Sequence, residues 1–247
     1  MSEFSNWYNT IPKFTRYWLA ATVGISLGAK LGIVPTYYLF LETSLVIQKF
    51  QLWRLVTALF FYPTSFHFLM NCFFLYNYSS RLEKDHYLAS PGDFLYLLIF
   101  NWFCCVIVGL FASLPVLMDP MVLSVLYVWC QLNREVIVTF WFGSRFKAMY
   151  LPWVLFAFNV MLSNGGMMSL FGILIGHLYF FLKFTYPQEL GGSNFLETPA
   201  FIKRRFPDVR PAGVFGFAPE TRAQQQQQQR QAGLNLFGGS GNRLGNN

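Results

Sequence analysis

The sequence predicts an all-α polytopic membrane protein, with six transmembrane helices followed by a disordered tail. Three observations carry that prediction. Of the 247 residues, 54% are hydrophobic and 12% are charged, whereas an ordinary soluble domain carries about 25% charged residues. The apolar residues gather into long runs separated by short polar or aromatic stretches. Beyond residue 187 the composition turns Gly-, Pro- and Gln-rich, with consecutive glutamines at 224–229. Such a segment does not bury enough apolar surface to order itself. A membrane domain is therefore expected over 1–187 and a disordered tail over 188–247.

Taken in order, residues 1–16 read as an amphipathic lead-in. Trp7, Tyr8, Ile11, Phe14 and Tyr17 recur at helical spacing around Pro12. Span 1 covers 17–34, with Lys30 placed to snorkel to the interface. Residues 35–54 are too apolar for a solvated loop and are expected to lie partly in the bilayer interface. Span 2 covers 55–78 and is interrupted by Pro63. His67 and Asn71 sit one turn apart in it and should face protein or water. The cluster Arg81–His86 is expected to end that span in water. Span 3 covers 94–115, and Asp119-Pro120 should form a very short turn.

Span 4 begins near Met121 and ends by Leu132. Arg134 and Glu135 are costly to bury, so the apolar run from Val136 to Phe142 is read as interfacial rather than spliced into the same helix. Span 5 covers 148–162 and span 6 covers 167–186. Spans 4 and 5 fall short of the ~20 residues that cross ordinary hydrocarbon. Thinning of the local bilayer is one way to accommodate them.

Charge placement orients the chain. Lys13 and Arg16, Arg81 and Lys84, Arg134, Arg145 and Lys147, and the basic residues of the tail all fall on one side. This asymmetry predicts cytosolic termini. Asn77-Tyr78-Ser79 is a formal glycosylation sequon on that same side, so no glycan is expected there.

Chemistry-bearing patterns are sparse. Cys72, Cys104, Cys105 and Cys130 lie in apolar runs without metal or disulfide spacing, and read as small buried hydrophobes. No metal or cofactor is implied. No basic cluster is interleaved with stacking aromatics on a soluble domain, so no nucleic-acid partner is expected. In span 6, Gly172 and Gly176 share one helix face and permit close approach of another helix. His177 stands beside them. A histidine in lipid invites a catalytic reading, but a serine protease also needs a nucleophile within its reach, usually among small residues. Span 4 offers Ser124 between Leu123 and Val125, with no glycine nearby. The literal Gly-x-Ser-Gly at 238–241 lies in the tail, where no base can be positioned. No catalytic residues are therefore assigned, and His177 is read as an interhelical hydrogen-bonding group.

Several stretches resemble the Derlin family of rhomboid-like pseudoproteases. Trp53-Arg54 resembles the Trp-Arg motif of the rhomboid superfamily's first loop. Gly172–His177 is similar to its sixth-helix glycine motif. Phe237–Leu244 fits the F-x-G-x-G-x-x-L pattern of the SHP box. The stretches Ile11–Trp18, Ser124–Arg134 and Phe140–Lys147 also read like the family. The resemblance implies a six-helix rhomboid-like fold in the endoplasmic-reticulum membrane, multi-pass with both termini cytosolic. It implies a non-catalytic role in ER-associated degradation, assisting retrotranslocation of misfolded proteins to the cytosol. The implied partners are misfolded lumenal and membrane proteins, a membrane ubiquitin ligase, the lipid bilayer, and further copies of this chain or other Derlins. Phe237, Gly239, Gly241 and Leu244 would bind the valosin-containing AAA ATPase. Trp53 and Arg54 would belong to a substrate-engaging loop, and Gly172, Gly176 and His177 to the packed core. Two other functions stand against this one: an active intramembrane rhomboid protease using Ser124 and His177, and a polytopic transporter or channel.

Overall fold

Helices make up most of a computed structural model that describes residues 3–140, 143–163, 166–189 and 196–208. All of them fall in one compact unit, Met1–Val209. Helix α1 (Glu3–Thr10) precedes Pro12, whose ring cannot continue a helix but is suited to starting one. Helix α2 (Lys13–Lys30) begins directly after it. Its first N–H groups have no side-chain cap of their own. They are satisfied from across the fold instead: Glu83 accepts from the N–H of Phe14 at 3.1 Å and of Thr15 at 2.9 Å, and from the Thr15 hydroxyl at 2.8 Å.

The expected second span is two helices. Pro63 stops α4 (Trp53–Phe60), and Ser65 accepts from the Phe68 N–H to start α5 (Phe66–Phe74). A π turn at Leu75–Ser79 joins α5 to α6 (Ser80–Asp85), so the helical path is continuous from 66 to 85. Before α4, the first loop carries a 3₁₀ turn at Thr36–Tyr38 and helix α3 (Thr43–Lys49). The Arg81–His86 cluster does not simply end a span in water. Leu82 and Glu83 are buried, because Glu83 turns inward to hold α2.

Helix α7 (Pro91–Phe111) matches the third expected run. Helix α8 (Met118–Leu132) starts earlier than expected: Asp119-Pro120 forms its first turn rather than a loop. Proline is tolerated there because those N–H groups lack intrahelical partners anyway. The run after Arg134-Glu135 is not helical. Strand β1 (Ile137–Thr139) pairs antiparallel with β2 (Arg145–Lys147), and Lys147 bonds Glu135 at 2.6 Å. That contact raises the Lys147 pKa above its ordinary value. Helices α9 (Leu151–Ser163) and α10 (Gly166–Phe180) follow, and α10 runs on through a π turn into α11 (Tyr186–Glu189). Among the described residues two helices are long and apolar enough to cross a membrane, Pro91–Phe111 and Gly166–Gln188. Met118–Leu132 and Ala148–Met161 are apolar but shorter.

Beyond residue 187, where the expected membrane domain ends, helix α12 (Ala200–Arg205) packs on the start of α7. Ile202 is buried against Gly92, Thr198 donates to Asp93, and Lys183 donates to the Leu196 carbonyl at 2.9 Å. The glutamine run and Phe237–Leu244 lie outside the described residues.

The core is centred on α8, whose residues from Met118 to Cys130 are all buried. Helix α10 lies closest to it. A Cβ on Gly172 would sit 2.8 Å from the Pro120 carbonyl oxygen, and one on Gly176 would sit 2.6 Å from that of Ser124. Gly176→Val should therefore destabilise the purified protein in detergent by at least the ~1–3 kcal/mol typical of overpacking. Gly24 has open space around it, and Gly24→Ala should unfold at or above the parent temperature. Equal melting of the two variants would mean that α8 and α10 do not pack this closely.

Candidate functional site

Arg54 is fully buried at the start of α4. Its Nη1 donates to the carbonyls of Tyr37 at 2.6 Å and Phe40 at 2.8 Å, and its Nε donates to Gln51 at 2.7 Å. The guanidinium also lies 4.9 Å from the centre of the Tyr37 ring. One arm of the guanidinium fork, Nη1, holds both loop carbonyls while Nε takes the Gln51 side chain, and Nη2 is buried without a hydrogen-bond partner. Arg54 thus does not snorkel; it shapes the loop from inside. Its neighbour Trp53 is half exposed, on a surface that also presents Ile33, Tyr37, Ile47, Phe50 and Leu52. Phe50 ends α3 with a positive φ of 50°. Bulky residues rarely adopt that conformation, and here its ring is 77% exposed.

The predicted glycine face brings α8 and α10 together, and that approach places His177. Its Nδ1 lies 2.8 Å from the Tyr127 hydroxyl of α8. Ser124 is fully buried, and its Oγ donates to the Met121 carbonyl of its own helix at 2.8 Å. The hydroxyl is thus turned along α8, while the imidazole is engaged by a tyrosine.

A second constellation links α5, α8, α9 and α10. The Tyr62 hydroxyl lies 2.6 Å from His67 Nδ1, and His67 Nε2 lies 3.0 Å from Asn159 Oδ1. The ring satisfies both contacts with its proton on Nε2. Asn159 donates on to Ser169 at 2.7 Å, and Asn71 donates to the Asp119 carboxylate. Asp119 Oδ2 lies 3.9 Å from His67 Nδ1. A cavity of about 10 Å³ sits among these groups, at the lower limit for one water. The arrangement contains no activated nucleophile. What it can do is hold apolar helices in one register and offer donors and acceptors inside an apolar bundle.

Of this network, sequence reasoning placed only His67 and Asn71. Asp119 was legible in principle, since no other charged residue stands between Asp93 and Arg134. An isolated carboxylate in so apolar a stretch signals a buried partner more than a turn. Tyr62, Asn159 and Ser169 carry no such signal. No group of three or more His, Cys, Asp or Glu suited to a metal occurs among the described residues.

Residues 11–200 match the family model described as the Der1-like family. The chain is 52% identical over 222 residues to Derlin-1 of Drosophila melanogaster, covering 88% of this chain and 90% of that protein. It is 51% identical over 221 residues to Derlin-1 of Homo sapiens, covering 88% of each. Derlin-1 of Caenorhabditis elegans is 46% identical over 249 residues, covering 99% of this chain and all of the relative.

Two measurements check the site. Arg54→Lys keeps the charge but loses the fork, so amide exchange over residues 36–41 should rise several-fold while α7 stays protected. Unchanged exchange would mean the loop does not depend on Arg54. Asp119→Ala leaves Asn71 without its acceptor and should cost about 1–3 kcal/mol in thermal unfolding of the detergent-solubilised protein. A melting temperature equal to the parent's would remove Asp119 from the framework.

Proposed function

The chain belongs to the Der1-like family, and on that footing we propose that it is an endoplasmic-reticulum membrane protein acting in ER-associated degradation, assisting retrotranslocation of misfolded proteins to the cytosol. The observation that carries the reading is the family match, which runs through every helix from α2 to α11. In this reading the bundle crosses the bilayer six times with both termini cytosolic. The spanning elements are α2, α5 with α6, α7, α8, α9 and α10. Helices α8 and α9 have 15 and 13 residues, which gives about 22 and 20 Å of rise against roughly 30 Å of hydrocarbon. Short helices of this kind favour a thinned bilayer around the protein, which lowers the barrier for a polypeptide leaving the membrane.

The first loop, shaped by Arg54 and presenting Trp53, is the surface that meets substrate and lipid. The His67–Asn159 contact between α5 and α9 provides polar partners for the polar groups such a substrate carries. Phe237, Gly239, Gly241 and Leu244 recruit the valosin-containing AAA ATPase, which supplies the pulling force. A membrane ubiquitin ligase and other Derlins, or further copies of this chain, complete the assembly.

The protein acts without proteolysis. Support comes from the Ser124 hydroxyl, which is spent on Met121, and from His177, whose Nδ1 meets Tyr127. A transporter reading draws on Asp119, an inward-facing carboxylate. That carboxylate is already engaged by Asn71, as a structural group would be.

Replacing both Phe237 and Leu244 by Ala should abolish co-purification of the AAA ATPase while membrane insertion persists. Ser124→Ala should leave clearance of a misfolded membrane reporter unchanged. Retained ATPase capture would remove the tail from the mechanism, and loss of clearance in a normally folded Ser124→Ala protein would revive the protease.

A further inference from the structure

An apolar groove of about 470 Å³ opens between α2, α4 and α7, a volume within the ~300–1,000 Å³ of ordinary ligand sites. Phe14, Tyr17 and Leu95 line one end; Trp102, Val56 and Phe60 line the other. The walls keep their shape because Trp102 Nε1 donates to the Leu55 carbonyl at 3.0 Å, tying α7 to α4. At the opposite end Glu83 fixes the first turn of α2, which carries Phe14 and Tyr17.

That end is strongly basic. Lys13 and Arg16 flank Phe14 on α2. The Phe14 ring lies 5.3 Å from that of Phe206, which directly follows Lys203, Arg204 and Arg205 of α12. Those three residues are exposed, and so is Lys13. Among the described residues none of the five cations forms an ion pair with a carboxylate. Asp93, the acid at the start of α7, is held by Thr198, and Glu83 is turned onto the α2 backbone. Arg16 Nη1 donates to Asn9 at 3.1 Å and the guanidinium lies 5.3 and 5.7 Å from the ring centres of Tyr8 and Tyr17, while its buried Nε has no hydrogen-bond partner. Phe201, 70% exposed on α12, adds an apolar side chain beside the basic run. A basic run with an exposed aromatic is suited to a membrane surface of negative charge.

We propose that this groove is a binding site for an anionic phospholipid: one acyl chain lies along α2, α4 and α7, and the headgroup phosphate meets Lys13, Arg16 and the basic run of α12. The proposal rests on the membrane-spanning reading above. The charge pattern selects the occupant. A purely apolar occupant, such as a helix of a substrate or of a second copy, gains nothing from five cations at one end, whereas an anionic lipid matches both halves. The site also gives α12 a role: it reads the headgroup while its buried Ile202 anchors it to α7.

The test uses the full chain reconstituted in vesicles of phosphatidylcholine and phosphatidylserine. In parallel samples one or the other lipid carries a photoactivatable diazirine in its acyl chain. Labelled peptides from α2, α4 and α7 should carry phosphatidylserine several-fold over its share of the bilayer. Replacing Lys203, Arg204 and Arg205 together by Ala should return labelling to the bulk lipid ratio without loss of helicity. Ala21→Trp, which fills the groove, should reduce labelling by both lipids. Equal labelling by the two lipids in the parent protein would make this an unselective lipid contact and overturn the proposal. So would groove residues cross-linked to a polypeptide in place of lipid. AAA ATPase capture through the tail is read in the same preparations, so failure of the lipid site is separable from failure of the proposed function.

Discussion

Helix α10 can lie on α8 only because two of its residues have no side chain. The carbonyls of Pro120 and Ser124 occupy the space where the Cβ atoms of residues 172 and 176 would be. Helix–helix association in lipid draws on such close packing, since no hydrophobic drive distinguishes helix from lipid tail. Several other positions follow from it. Tyr127 comes within reach of His177, the serine face of α8 is closed by α10, and the start of α8 lies where Asp119 can meet Asn71. A slide of one turn along this contact would set side chains against backbone and undo all three.

A second constraint is the satisfaction of broken backbone within an apolar environment. The chain interrupts its helices at Pro12, Pro63 and the turn before α8, and each break finds an internal partner. The start of α2 is capped by Glu83. The N–H of Tyr62 donates to Ser26 at 3.1 Å, and that of Leu117 to the Ala58 carbonyl at 2.9 Å. The first loop is closed by Arg54 and by the Leu41 N–H on the Pro115 carbonyl. Two charged side chains, Glu83 and Arg54, thus serve as ligands for broken backbone. Hydrogen bonds to charged groups contribute about 1.5–3 kcal/mol each, enough to hold an irregular segment that packing alone would not.

The same point explains which features were legible in the sequence. Long apolar runs mark α7 and α10 well, because a helix that crosses a membrane must be apolar along its length. The glycine pair on α10 was legible because its spacing fixes a helix face. Glu83 was not, because one inward carboxylate in a charged cluster looks like its solvated neighbours. Asp119-Pro120 reads as a turn because both residues favour turns, yet both are equally at home in a first helical turn. Ile137–Thr139 forms a strand through pairing with Arg145–Lys147, a partner that no local pattern announces. Helix α12 was hidden by the polar composition around it. Its order comes from buried Leu196 and Ile202, from the Phe206 ring against Phe14, and from the hydrogen bonds of Leu196 and Thr198 in the segment that leads into it.

The open surfaces of the fold lie away from Ser124, which is buried where α10 packs on α8. Hydrolysis inside a membrane needs a water-accessible hollow beside the nucleophile and donors for the developing oxyanion. Here α8 is enclosed from Met118 to Cys130, and the space beside Ser124 is filled by α10. The polar chain Tyr62–His67–Asn159–Ser169 is hydrogen-bonded from end to end, and the cavity beside it has room for about one water. What is accessible lies at the perimeter: the aromatic first loop braced by Arg54, and the apolar groove whose basic end is completed by α12. The enclosed interior, packed on α8, holds these perimeter surfaces in place.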